Sequence, residues 1–223
     1  MASIAAMVIM LHLLYLILLI LVFPPITTTQ IRGLMDGYGL RRDYVSDSEI
    51  SYTAGLAVMA SEDQTFPNHS GLDYESIDKA MEYNKSHKKR KHGASTISQQ
   101  VAKNVFLWQG RSWLRKGLEV YFTFMIELFW TKKRILEVYL NTIEMGPGIF
   151  GIESAAQFYF KKSAVHLTRS ESAMIAACLP NPKRYRVNPP SAWTLLRKPW
   201  ILEQMDQIEE DEDVKDILSN MRH

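Results

Sequence analysis

The chain has 223 residues, of which 47% are hydrophobic and 22% charged, with a formal net charge of +2 and one cysteine. Its length suits one catalytic or binding domain behind an apolar leader, and two full cores do not fit. The near-neutral charge gives no compositional case for a nucleic-acid partner, and the lone Cys178 excludes an intramolecular disulfide.

Residues 2–23 carry no formal charge unless His12 is protonated. At about 1.5 Å per residue they reach across a hydrocarbon layer of roughly 30 Å, so residues 1–24 are expected to be a transmembrane anchor. A cleaved signal peptide is the rival. It needs a basic leader, a shorter apolar stretch and a small-residue cleavage site, and Phe23-Pro24-Pro25-Ile26 supplies none. Arg32, Arg41 and Arg42 follow the span with no basic residue before it, so the positive-inside rule alone places the domain in the cytoplasm.

Pro24-Pro25 stops the first helix, and residues 25–48, with Gly33, Gly37 and Gly39, read as an irregular connector. The folded domain is expected over 49–190, mainly helical, with a solvated acidic helix in the tail 191–223. Within it Ile50 to Ser61 predicts a helix ending near Glu62-Asp63, and Pro67 turns the chain after it into a loop. Asp73 to Tyr83 is a short helix. Residues 87–93 form a basic loop, Ser95 is the expected cap of the next helix, and Gln99 and Lys103 share a face of it. A long helix over Trp113 to Arg134 carries the inward stripe Leu118, Phe122, Met125 and Phe129. Helices follow over Ile135–Thr142, Ile152–Phe160 and Leu167–Leu179, and no strand series or repeat is evident. Cys178, among alanines and leucine, reads as a buried thiol.

Two polar constellations could do chemistry. Glu62 and Asp63 are a like-charge pair at a loop mouth, where repulsion and partial burial raise the proton affinity of one and suit it to act as a general base. Lys103, Arg111, Arg115 and Lys116 cluster around Glu119. Point-charge lysine and forked arginine in such a group can hold a pyrophosphate as charge develops on it. The bland alternatives are an exposed acidic pair and an ordinary i, i+4 Arg115–Glu119 bridge. The chain lacks the His/Cys spacing of a zinc site and the phosphate-binding loop of a nucleotide enzyme, which argues against ATP-driven phosphoryl transfer.

Five segments together resemble the peptidoglycan glycosyltransferases of family 51. They are Glu62-Asp63 with Phe66, His69 and Gly71; Ala94-Ser95-Thr96-Ile97-Ser98-Gln99-Gln100 with Lys103-Asn104; Arg115-Lys116 with Glu119; Lys132 to Asn141; and Gly148 to Ala156 with Tyr159-Phe160. Ala94 and Ser98 stand where that family usually has glycine and threonine. The chain is similar to the monofunctional biosynthetic form.

That resemblance implies a lysozyme-like fold that polymerises lipid II into glycan strands, with undecaprenyl pyrophosphate as leaving group and the growing strand as donor. It implies Glu62 as general base and Glu119 as a second catalytic carboxylate, with Glu119, Lys103 and Arg111 at the donor pyrophosphate and Arg115 among the substrate-binding residues. Asp63, Ser95, Thr96, Gln99 and Gln100 would line the substrate cleft. The Lys132–Asn141 segment reads as scaffold. A divalent cation, Mg²⁺ or Mn²⁺, is compatible with the scheme; an organic cofactor is not expected. Cell-wall synthesis or division proteins are candidate partners. The resemblance also places the domain outside the cytoplasmic membrane, against the arginine count. A muramidase-like hydrolase and a non-catalytic lipid-pyrophosphate scaffold are the competing readings; the first needs no cations beside Glu119, and the second needs no Glu62.

Overall fold

In a computed structural model, residues 2–87, 93–110 and 112–222 are described, with the side chains of residues 2–5, 8 and 9 excepted. They form eleven α-helices and one three-stranded sheet. The helix α1 (Ala2–Leu21) runs into α2 (Thr28–Met35), and among the described residues no helix is long and apolar enough to cross a membrane. The second half of α1 is docked on the domain. Leu16 and Leu19 are fully buried, and the Trp130 indole and Arg134 guanidinium donate to the Leu16 and Leu19 carbonyls at 3.0 and 3.1 Å.

The connector is more ordered than its glycines suggest. Thr27 accepts from Gln30 N–H at 3.2 Å while Gln30 Oε1 accepts from Thr27 N–H at 3.0 Å, a reciprocal cap that starts α2. After it, β1 (Arg41–Arg42) pairs in parallel with β3 (Ile149–Phe150), which pairs antiparallel with β2 (Glu144–Gly146). The sequence pattern did not reveal this sheet, because its strands are two or three residues long. The Gly146-Pro147-Gly148 turn joins β2 to β3. Gly148 has φ +69°, and a side chain there would meet the Tyr38 carbonyl oxygen at 2.3 Å.

At the centre lies α3 (Tyr52–Glu62), buried from Ala54 to Ala60 and apolar all round because neighbours surround it. These neighbours are α9 (Arg169–Ala176), α10 (Ala192–Ile208) and α11 (Glu212–Leu218). The tail is therefore not a solvated helix: Ile201, Met205, Val214, Ile217, Leu218 and Met221 are buried, and Arg222 bonds the backbone of Ile50 and Tyr52. Gly55 admits this packing, since a Cβ there would lie 2.5 Å from Leu218 Cδ2.

Helix α4 (Tyr74–Ser86) is capped by Asp73 and buries no residue. Helix α5 (Ile97–Phe106) is capped by Thr96, not Ser95. Trp113 to Arg134 is two helices, α6 (Trp113–Phe129) and α7 (Lys132–Thr142), because Trp130 is extended and the Thr131 hydroxyl caps α7 by accepting from Arg134 N–H at 3.2 Å. The buried residues of α6 are Glu119, Thr123 and Ile126; the predicted stripe flanks them half-buried, with Phe106 stacked on Phe122 at 4.7 Å. Helix α8 (Ile152–Phe160) occupies its predicted span, and Cys178 is buried, its thiol pushed up by that burial.

Candidate active site

The last residue of α3 and the one after it have separate tasks. Asp63 is buried, and its carboxylate accepts from His69 Nε2 at 3.0 and 3.1 Å and from the Ile97 N–H at 2.9 Å. Gly71 N–H donates to His69 Nδ1 at 3.1 Å, so the proton of a neutral His69 is on Nε2, facing Asp63. The Thr96 hydroxyl donates to the Gly71 carbonyl at 2.6 Å, and Lys132 Nζ to the His69 carbonyl at 2.6 Å. Asp63 thus ties the loop through Phe66 and His69 to the start of α5. Gly71 has φ +90° at the point where the loop turns back.

Glu62 is half-buried and accepts from Gln100 Nε2 at 2.8 Å. Burial raises its carboxyl above the ordinary value and Asp63 adds to the rise, while the Gln100 bond and the charges of Arg197 and Lys103 oppose it. Glu62, Asp63, Ser95 and Thr96 border one cleft of about 290 Å³ between α3, α4 and the segment before α5. Asp73 and Ser76 line its other wall. Burial acts to raise Asp73, but the Ser76 hydroxyl and N–H and the Thr65 hydroxyl outweigh it and hold the carboxyl down at about 2.

Gln99 points back into the cap of its own helix, its Oε1 accepting from Thr96 N–H at 3.1 Å while the Thr96 hydroxyl accepts from Gln99 N–H at 3.1 Å. Gln100 points the other way, towards Glu62. Beyond it Glu119 is buried between Arg115 and Lys116, at 3.0 and 2.5 Å. The Lys103 side chain makes no hydrogen bond or ion pair within the described residues. Burial lowers its pKa, Arg115 and Lys116 lower it further, and Glu119 and Glu62 act to raise it. Glu62, Lys103, Arg115, Lys116 and Glu119 are therefore one electrostatic neighbourhood. Arg111 lies outside the described residues, as do residues 88–92 of the basic run.

A family model described as transglycosylase matches residues 28–206. The chain belongs to the transglycosylase family. It is 56% identical over 171 residues to a biosynthetic peptidoglycan transglycosylase of Pectobacterium carotovorum subsp. carotovorum, covering 77% of this chain and 70% of that one. Proteins of the same name from Escherichia coli (57% identical; 77% and 71% covered) and Pectobacterium atrosepticum (52%; 80% and 73%) are similarly related.

Two residues of this transglycosylase's site were not singled out from sequence. Tyr139, in the segment taken for scaffold, is fully buried and donates to Gln100 Oε1 at 3.2 Å. Arg197, in the tail, contributes to the field at Glu62. Neither had a local signal: a tyrosine at helical spacing reads as core, and an arginine on a terminal helix reads as surface.

Proposed function

We propose that this chain polymerises lipid II into glycan strands and releases undecaprenyl pyrophosphate. Glu62 takes the proton of the acceptor's sugar 4-hydroxyl, whose oxygen attacks the anomeric carbon of the donor strand. The bond from that carbon to the pyrophosphate breaks and its electron pair leaves with the pyrophosphate. Lys103 and Arg115 meet the charge that develops there, and Arg111 is assigned to the same end. Glu119 holds Arg115 and Lys116 in place. Ser95 borders the acceptor cleft, and Asp63, Thr96 and Gln99 serve by fixing the loop and the start of α5 that shape it.

The observation that carries this reading is the pairing of a carboxyl raised by burial with a half-buried lysine in the same field, itself next to Arg115, Lys116 and Glu119. A glycan hydrolase releases an uncharged sugar and has no use for those cations; a scaffold has no use for a raised Glu62. Among the described residues no group of three His, Cys, Asp or Glu converges, and Glu119 is paired with Arg115 and Lys116.

The chain works at the bacterial cell envelope, its catalytic domain (49–190, extended by the packed tail) on the outer face of the cytoplasmic membrane. Residues 1–24 are the anchor, and 25–48 seat it on the domain. Apolar exposure on α1 (Met10, Leu14, Leu21) and on α6 (Trp113, Leu114, Leu128) supports a lipid contact. Of the apolar residues Phe106, Leu107 and Trp108 that precede Arg111, Phe106 is half-buried and Leu107 buried, while Trp108 is exposed and available for such a contact. Tethering to the bilayer that holds the substrate raises its effective concentration. Lys103→Ala is expected to weaken both lipid II binding and turnover, each by tenfold or more on the order of a lost charged hydrogen bond. Unchanged binding and turnover would remove the donor-site assignment.

A further inference from the structure

The side chain that holds Glu62 is itself held from inside the core. Tyr139 on α7 is fully buried, and its hydroxyl lies 3.2 Å from Gln100 Oε1; Gln100 Nε2 lies 2.8 Å from Glu62 Oε2. An ionised carboxylate only accepts hydrogen bonds, so Gln100 must turn its amide nitrogen towards Glu62. Its oxygen then faces Tyr139, and the phenol is the donor. We propose that Tyr139 is a positioning residue that acts through Gln100 to fix Glu62 Oε2, leaving Oε1 to take the acceptor's proton.

This rests on Glu62 being the general base. Oε1 of Glu62 has no hydrogen-bond partner among the described residues, whereas Oε2 is occupied. Without the phenol, Gln100 is free to rotate and present its oxygen to the carboxylate, losing the bond and misaligning the base. Tyr139 stays a donor across the working range, because burial, then Glu62 and Asp63, push its pKa well above the ordinary value. The groups facing Glu62 are Gln100 and Lys103 from α5, Arg197 from α10, Tyr139 from α7 and its neighbour Asp63. Of these, Gln100 gives the largest support to the ionised form. Loss of the relay therefore makes Glu62 easier to protonate and shifts the acid limb of kcat/KM to higher pH.

The test uses the full chain in detergent with lipid II, comparing Tyr139→Phe, Gln100→Ala, the double variant and Glu62→Gln. Tyr139→Phe is expected to lower kcat roughly five- to tenfold with KM within about twofold, and to move the acid limb upward. In the Gln100→Ala background it should add no further loss. An unchanged acid limb, or losses that multiply in the double variant, would overturn the relay even if Tyr139→Phe were less stable. Full activity in Glu62→Gln would instead remove the base assignment, and the relay with it. An inactive Glu62→Gln beside a Tyr139→Phe like wild type would sink the relay alone.

Discussion

Adjacent carboxylates at the end of α3 have opposite surroundings. Asp63 is saturated by His69 and the Ile97 N–H, while Glu62 has one bond and a carboxyl raised by burial. A folded-state value above the unfolded one means that the native state holds this proton more tightly than the unfolded chain does. Stability from Glu62 is therefore complete below the unfolded value and is lost as pH rises through the folded one. Glu62→Gln removes that loss. The variant is expected to melt a few degrees above wild type at pH 8, about 2–4 °C per kcal/mol for a domain of this size, and level with it at pH 4. Calorimetry at the two values checks this, and a lower midpoint at pH 8 would show that the ionised carboxylate stabilises the fold.

Helix α5 is capped one residue later than the expected Ser95, at Thr96. Ser95 and Thr96 are both capping types, and nothing local distinguishes them; the choice is made by Gln99, which stands three residues after Thr96 and closes the reciprocal cap, and by Gly71, whose carbonyl takes the Thr96 hydroxyl. Thr96→Ala is expected to cost about 1–2 kcal/mol in urea unfolding, and Ser95→Ala within about 0.5 kcal/mol. A reversed order would restore Ser95 as the cap. The same contrast runs through the other elements. Helices with their own period and stop signals, such as α3 and α8, were legible. The break at Trp130-Thr131 was not, because Trp130 leaves the helix to bond α1, a partner more than a hundred residues away. The site follows this pattern: Glu62, Lys103 and Glu119 stand in dense polar segments that announce themselves, whereas Tyr139 and Arg197 reach the site only through packing of α7 and α10 on α3 and α5.

For the molecule as a whole, the consequence is that the tail belongs to the catalytic domain. Its acidic composition hid a buried face, since Val214, Ile217, Leu218 and Met221 are spaced among charged residues that point outward. Helix α11 closes on Gly55 and the chain end bonds Ile50 and Tyr52, so α3, and with it Glu62, is braced from the far end of the sequence. Leu218→Ala is expected to cost about 2–5 kcal/mol, the cavity cost of a core leucine. A change within about 0.5 kcal/mol in denaturant unfolding would return the tail to the solvated role its charge suggests.

The most direct measurement of the central claim is product size. Wild-type protein and Glu62→Gln are incubated in detergent with labelled lipid II, and the products are resolved by length. A ladder of glycan polymer from wild type, absent from Glu62→Gln although that variant still binds lipid II, is the predicted result. Polymer of equal yield from both would contradict the role of Glu62, and shortening of added polymer with lipid II left intact would contradict the glycosyltransferase itself.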